Sequence, residues 1–334
     1  METKKILILG ATGLAGVYTA ITLKSKGYTV YAAAHRHNDN GFFADYSIPY
    51  YSFDISDKNS FSVLPKDIDI VLDFAGAMPA RMKGYNPYAY IDTIVTGTLN
   101  VLEYMRDIQC NRIIFTHSIA DIVDRFGTTL PLSADLDMHF PITGDHSVYS
   151  ISKNTAVSFI RHYQAQYNIE AFILRLPTIY AYQPNPYVYI NGEQKWFGFR
   201  YIIEEAIKGN TLQIWGDPKA KKEMVYIYDF INMIECCVNT DRKGGIYNVG
   251  SGFPITIEDQ IHLIAQTFNK DKKSEIVYCP NKPSSPQFIL DIENAKQELG
   301  YKPEYDFQRF LNDFKKDLED EPFSKLWGKR SDFQ

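Results

Sequence analysis

An α/β fold with a doubly wound parallel sheet, followed by a smaller, mainly helical C-terminal region, is what this sequence predicts, and three observations predict it. Short apolar, β-branched runs alternate with longer stretches of helical period through the first half. A glycine-spaced turn joins the first of these runs to the first helical stretch. Beyond Pro177 the composition changes, and residues 181–196 are crowded with Tyr, Pro, Asn and Gly.

Taken in order, Lys5 to Leu9 reads as a buried strand ending in glycine, and Val17 to Lys26 as a helix closed by Gly27. Tyr28 to Ala34 is the second strand, and Ile68 to Phe74, Arg112 to Thr116 and Ala171 to Leu176 repeat its character. Continuous apolar strands of this kind are covered on both faces, as in parallel sheets. Residues 181–196 lack a clean period and read as a long functional loop. Helices are then expected over Phe199 to Lys208, Asp229 to Asn239, Ile257 to Phe268, Ile292 to Leu299 and Phe307 to Leu318, and the last dozen residues carry no usable signal. The division that follows is a dinucleotide-binding domain over 1–180, with a return of 224–252, and a substrate-binding region from 181–223 and 253–334.

Composition narrows the function. With 35 Lys plus Arg against 40 Asp plus Glu the net charge is −5, so there is no basic surplus for a nucleic-acid backbone. The apolar run Ile6 to Leu9 is too short for a membrane span or a signal core, which leads us to expect a cytoplasmic protein without a membrane partner. Four cysteines without C-x-x-C spacing fit a reducing compartment. No metal site is expected: Asp121, Asp124, Asp135, Asp137 and His139 share a turn-rich stretch without ligand spacing, read as a solvated loop.

The run Gly10-Ala11-Thr12-Gly13-Leu14-Ala15-Gly16 stands where a strand turns into a helix. Glycines there permit a tight turn, close approach of a pyrophosphate and close packing of the helix, whose N-terminus faces the anion. This is a Rossmann-like dinucleotide cradle. An acid at the end of the second strand would accept hydrogen bonds from the ribose of NAD, but the chain runs Ala34-His35-Arg36. Arg36 can grip a 2′-phosphate and His35 can add a hydrogen bond, so NADP is favoured, with NAD the alternative. Asp54 and Ile55 after the third strand, and Phe74, Ala75 and Gly76 after the fourth, fall where the cofactor crevice is expected.

Tyr149 and Lys153 lie at i and i+4 on a helical pattern. A cation one turn away favours the phenolate and lowers a tyrosine pKa from about 10, which makes a usable base. A second Tyr-x-x-x-Lys, Tyr278 and Lys282, contains Pro280 and cannot be an ordinary helical pair. The strand Ile113 to Ser118 delivers polar groups at its carboxyl end, where Ser118 can hydrogen-bond a substrate hydroxyl. His117 reads as a packed neighbour rather than a base. Trp196, Phe197 and Phe199 could stack on a nucleobase, but packing within the second region accounts for them better.

Glycine run, strand-end serine and Tyr-x-x-x-Lys in this order resemble the extended short-chain dehydrogenase/reductase family, in its NAD(P)-dependent sugar-nucleotide epimerase/dehydratase branch. Leu174 to Tyr180, Trp215-Gly216-Asp217, Val225 to Asp229, Tyr247 to Gly252 and Leu290-Asp291 extend the likeness over nearly the whole chain. The resemblance implies Tyr149 as general acid/base, Lys153 on the nicotinamide ribose and Ser118 on the reacting sugar hydroxyl. It implies cofactor contacts from Gly10, Thr12, Gly13, Leu14, Ala15, Gly16 and Pro177, and substrate contacts from Met78, Ser118, Thr178, Lys222 and Lys282. A nucleotide-sugar substrate, epimerisation with the 4-position as the reacting centre, and a possible homodimer follow by the same resemblance, with an NADPH-dependent ketosugar reductase as the alternative and a non-catalytic dinucleotide-binding protein as a third reading. The branch's dehydratases carry an Asp-Glu pair after the catalytic residue; here Ile119-Ala120 follow Ser118, so 4,6-dehydration is not expected. Ile94 and Thr178 stand where asparagines are common in the branch. Lys222 and Lys282 replace arginines that grip the diphosphate, keeping charge but losing the bidentate fork.

Overall fold

The computed structural model describes residues 3–269 and 272–333. Among these, β1 (Lys5–Leu9), β2 (Thr29–Ala34), β3 (Tyr50–Ser52), β4 (Ile70–Asp73), β5 (Arg112–Ser118) and β6 (Glu170–Leu176) form one parallel sheet with the strand Gly244–Asn248. The spatial order is Gly244–Asn248, β6, β5, β4, β1, β2, β3, so the chain reverses direction across the sheet between β1 and β4. That switch point leaves a crevice at the carboxyl ends of the strands, where ligands bind in folds of this class.

Side chains alternate across a strand, and the core follows that period. Ile6 and Ile8 of β1 join Leu72, Ile114 and Phe172 in one apolar cluster, packed under α1 (Leu14–Ser25) and the helix Ile227–Asn239. Leu7 and Leu9 join Val71, Ile113, Phe115 and Ile173 in another, under the helices Gly97–Asp107 and Asp145–Tyr167. Both faces are therefore covered, which is the condition under which a strand such as Lys-Ile-Leu-Ile-Leu is stable without a polar side.

Several boundaries differ from the sequence reading. α1 starts at Leu14 rather than Val17, because Gly13 supplies the extended cap residue before it, and Gly27 (φ +92°) ends it as expected. Residues 181–196 are not all loop: Tyr187–Ile190 and Glu193–Trp196 pair antiparallel around Asn191-Gly192, both at positive φ. Asn-Gly is the dipeptide that closes a two-residue hairpin of this hand, so the signal was there to read. The final residues contain short helical segments, Ser324–Trp327 and Arg330–Phe333. In the C-terminal part Leu212–Trp215 pairs parallel with Ile276–Cys279, and the helix Phe307–Asp320 is capped by Asp306, whose side chain accepts from the Arg309 N–H. No described helix is long and apolar enough to cross a membrane.

Candidate active site

The glycine turn closes over β1. The Gly10 and Ala11 N–H groups both donate to the Ala33 carbonyl of β2 at 2.9 and 3.0 Å. Gly10 has φ +81°, and a Cβ there would stand 2.9 Å from the Ala75 nitrogen. A Cβ on Gly16 would lie 2.3 Å from the Gly10 carbonyl oxygen, so the helix can start this close to the strand only with glycine at that position. The turn thus brings Gly10 against Phe74 and Ala75 at the end of β4, across the switch point. This tight cradle at a helix N-terminus fits the pyrophosphate of a dinucleotide.

At the end of β2, Ala34 is buried and His35 and Arg36 are exposed. Arg36 Nη1 donates to the Leu326 carbonyl at 3.0 Å, and the Tyr50 hydroxyl donates to the Arg36 carbonyl. His35 Nε2 lies 4.0 Å from Asp54 Oδ2, and Asp54 accepts from the Ser56 N–H and hydroxyl. Ile55 is buried, and its carbonyl accepts from Asn100.

On the other side of the crevice, the helix Asp145–Tyr167 carries Tyr149 and Lys153 one turn apart. Tyr149 is half-buried, lies near Ser118 and has the Tyr90 ring edge-on at 6.0 Å. Burial pushes its phenol above the ordinary value, the Ser118 hydroxyl opposes that, and the Asp121 carboxylate adds to it. The expectation that Lys153 depresses this pKa is therefore corrected. The Lys153 ammonium is engaged elsewhere: it donates to the Thr116 carbonyl at 2.7 Å, sits 4.6 Å over the Phe115 ring and faces Asp73. Burial pushes Lys153 down to about 8, against the pull of Asp73. Asp73, 1 % exposed at the end of β4, is pushed up to about 6 by burial, opposed by the Lys153 charge and the Ala75 N–H.

Asp73 was not singled out from sequence, although an acid ending an apolar strand beside a predicted crevice is a legible signal. A second group also escaped the reading. His117 Nε2 and Arg175 Nη2 both meet Asp121 Oδ2, at 2.8 and 2.9 Å, and all three residues are at most 4 % exposed. Arg175 also donates to the Ala134 and Leu136 carbonyls. Asp121 is thus a buried ion-pair partner, not part of a solvated loop, while His117 is packed and hydrogen-bonded, its pKa lowered by burial against the pull of Asp121. The network ties the segment after Ser118 to β6. Among the described residues no group of three or more His, Cys, Asp or Glu could hold a metal ion.

The residues expected to meet substrate fall into two groups. Met78 and Thr178 are exposed after β4 and β6, with Pro177 buried beside Thr178. Lys222 Nζ donates to the Ser285 hydroxyl, and Lys282 Nζ sits 4.7 Å over the Trp215 ring, so both ammonium groups belong to the C-terminal part. Tyr278 lies on a strand, so its spacing to Lys282 has no helical meaning. Ile94 packs under Gly76, 3.0 Å from where a Cβ would stand. Phe199 is buried among Tyr180, Phe197 and Phe314 and serves packing. A cleft beside the glycine turn is lined by Leu14, Arg81, Ile179, Ala181, Gln183 and Phe197. Arg81 reaches across it to the Tyr187 carbonyl at 3.2 Å and to the Gln183 side chain. A larger concavity lies at the opposite, amino end of the strands, among Asp69, Arg112 and Glu170, far from these groups.

Comparison with known proteins agrees with this geometry. The family model of NAD dependent epimerases/dehydratases matches residues 6–250. A UDP-glucuronate 4-epimerase of Thermodesulfobacterium geofontis is 26% identical over 267 residues, 78% of this chain and 76% of that protein. The fold is that of the UDP-glucose 4-epimerase of Thermotoga maritima solved with UDP-glucose (TM-score 0.75, 20% identity, 94% of this chain and 99% of that one). It is also that of the UDP-glucuronic acid 4-epimerase of Bacillus cereus solved with NAD (TM-score 0.71, 22% identity, covering 94% and 99%). A match running from β1 through the strand Gly244–Asn248 takes in the whole parallel sheet and the Ser118, Tyr149 and Lys153 positions, and the chain therefore belongs to the NAD-dependent epimerase/dehydratase family, the extended short-chain dehydrogenases/reductases, and is an NAD(P)-dependent enzyme.

Proposed function

We propose that this enzyme epimerises a nucleotide-activated sugar at its 4-position, with NADP as cofactor. The observation that carries the reading is Tyr149 brought to Ser118 at the carboxyl end of β5, beside buried Lys153 and Asp73, whose charges act on each other, and opposite the glycine turn. As the phenolate, Tyr149 takes the proton of the sugar hydroxyl and, as the phenol, gives it back, while Ser118 orients that hydroxyl. The bound nicotinamide supplies a hydride acceptor and donor. Lys153, held by the Thr116 carbonyl, keeps a cation beside the reacting groups. A ketosugar free to turn over in the site would present its other face to the nicotinamide, and reduction there would invert the configuration. Ile119 and Ala120 offer no acid for elimination of water, which favours epimerisation over dehydration.

The preference for NADP rests on Ala34 and Arg36, since an arginine without an acid at the strand end suits a 2′-phosphate. The nucleotide diphosphate is met by Lys222 and Lys282, and residues 181–223 and 253–334 act as the substrate-binding region, the enzyme working as a cytoplasmic homodimer. The relatives named above, which act on UDP-glucose and UDP-glucuronate, make UDP-sugars the first substrates to try.

A ketosugar-nucleotide reductase is the second reading, favoured by Arg36, because a reductase exchanges NADPH with the cell's pool. One experiment separates the readings. Purified enzyme is incubated with UDP-glucose or UDP-glucuronate, the sugar is followed by NMR and the dinucleotide by absorbance. Inversion at C4 without consumption of added NADPH supports epimerase. Stoichiometric loss of NADPH with a UDP-ketosugar supports reductase, and binding without turnover of either class would leave only a dinucleotide-binding protein.

A further inference from the structure

Residues 321–333 run as a strap against α1, the glycine turn and the segment after β2. Two apolar side chains anchor it. Phe323 packs edge-on against Tyr18 of α1 at 4.6 Å and near Phe42 at 6.0 Å, and Leu326 is 1 % exposed in the same core. Between Phe323 and Arg330, which pairs with Glu204 of the helix Gly198–Lys208, the strap makes polar contacts to the segments around the glycine turn and after β2. Trp327 Nε1–H donates to the Thr12 carbonyl at 2.9 Å, Arg36 Nη1 donates to the Leu326 carbonyl at 3.0 Å, and Asn40 Nδ2 donates to the Lys325 carbonyl at 3.1 Å.

These contacts fall on the two features that a dinucleotide would meet. The Thr12–Gly13 peptide is pinned at both ends, its carbonyl by Trp327 and its N–H by the Gly10 carbonyl at 3.0 Å. The glycine turn is therefore held in one conformation from outside the motif. Arg36, otherwise exposed, has one of its five N–H donors committed to a backbone carbonyl that does not move with it. A guanidinium fixed in this way loses less rotamer freedom when its remaining donors engage a phosphate.

We propose that the strap is part of the cofactor site: Leu326 and Trp327 are positioning residues that fix Arg36 and the glycine turn, and thereby set discrimination between NADP and NAD. The proposal rests on the reading of the glycine turn and Arg36 as the dinucleotide site. Nothing in the glycine motif or in the Tyr-x-x-x-Lys pair supplies this contact, which comes from residues more than 280 positions away in sequence.

The test uses full-length protein and calorimetric titration with NADP+ and NAD+. Arg36→Ala weakens NADP+ binding roughly tenfold and NAD+ little. Leu326→Ala, which loosens the strap without altering any group that meets the cofactor, shifts the NAD+/NADP+ ratio of dissociation constants in the same direction. The Arg36→Ala/Leu326→Ala double variant shows no further shift beyond Arg36→Ala. Trp327→Phe, which keeps an aromatic ring but trims the indole and removes its N–H, weakens both dinucleotides severalfold, and Leu326→Val carries the ratio test should Leu326→Ala fail to fold. Equal weakening of both dinucleotides by Leu326→Ala, or an additive double variant, overturns the assignment of specificity to the strap. Unchanged constants in Trp327→Phe overturn its hold on the glycine turn. A wild type that prefers NAD+ while Leu326→Ala still moves the ratio refutes the NADP reading and supports the strap; a wild type that binds neither dinucleotide removes both.

Discussion

Tyr149 faces Ser118 in a place where burial raises the phenol above its ordinary value, so the phenolate that takes the sugar proton is the minor form of the resting site. Tyr149→Phe keeps the ring and its edge-on contact with Tyr90 and removes the one group that exchanges the proton. We expect turnover to fall by roughly 10²–10⁴ with dinucleotide affinity within a factor of about two, read as kcat and Kd on the same preparation. Full activity in that variant would take Tyr149 out of the mechanism. Lys153 gives a second prediction, in pH. Its pKa is pushed down to about 8 by burial and held from falling further by Asp73. A rate that depends on the ammonium declines as pH rises through about 8 in the wild type. Asp73→Asn removes the negative charge, lowers the Lys153 pKa further and moves that alkaline decline to lower pH in a kcat/KM profile; a decline that stays in place would show that the pair is not coupled. The sign for stability follows from the same shift. The unfolded chain keeps the Lys153 proton up to about 10.5, above the native value, so this residue's contribution to unfolding free energy rises with pH between about 8 and 10.5 and is unfavourable below that window.

At the scale of elements, what could be read in the sequence was what is local. The strands of the sheet announce themselves as apolar β-branched runs because both their faces are buried, and the glycine turn and the Tyr149–Lys153 pair are set by spacings of three or four residues. The Asn191-Gly192 hairpin was equally local and was missed because the surrounding tyrosines and prolines masked its alternation. The partners of those local features are another matter. Asp73 acts on the Lys153 charge across 80 positions, and Asp121 meets Arg175 only because β5 and β6 are neighbours in the sheet, which no period reports. The depressed tyrosine pKa drawn from helical spacing failed for the same reason: spacing places Lys153 near Tyr149, but the Thr116 carbonyl and Asp73 decide where its charge is spent. The glycine turn yields the prediction that belongs at this scale. A methyl group at Gly16 would stand 2.3 Å from the Gly10 oxygen, so Gly16→Ala must push α1 away from β1 and open the cradle. Dinucleotide affinity should drop roughly tenfold or more by calorimetric titration, while the far-UV circular dichroism of the sheet and helices persists. Wild-type affinity in Gly16→Ala would remove the turn from the cofactor site.

For the whole molecule the question is how a chain with a net charge of −5 would attract the doubly charged diphosphate of the proposed substrate. The global field opposes it, so attraction must come from cations placed locally, and burial sharpens their effect. Lys222 is partly buried, with its pKa lowered by that burial, and Lys282 is exposed over Trp215; both come from the C-terminal part, whereas the glycine turn belongs to the sheet. In the proposed division the two ligands load separate regions, and Arg81, after β4, reaches the second of them at Gln183 and the Tyr187 carbonyl. Binding at about 100 times Kd stabilises the native state by about 2.7 kcal/mol, a shift of several degrees in Tm for a chain of this size. UDP and the dinucleotide should each produce such a shift in wild type. Lys222→Ala/Lys282→Ala should abolish the UDP shift and keep that of the dinucleotide, measured by thermal denaturation with each ligand alone. Retention of the UDP shift would place the diphosphate elsewhere, while loss of both shifts would mean that the lysines support the shared frame of the cleft rather than one of its ligands.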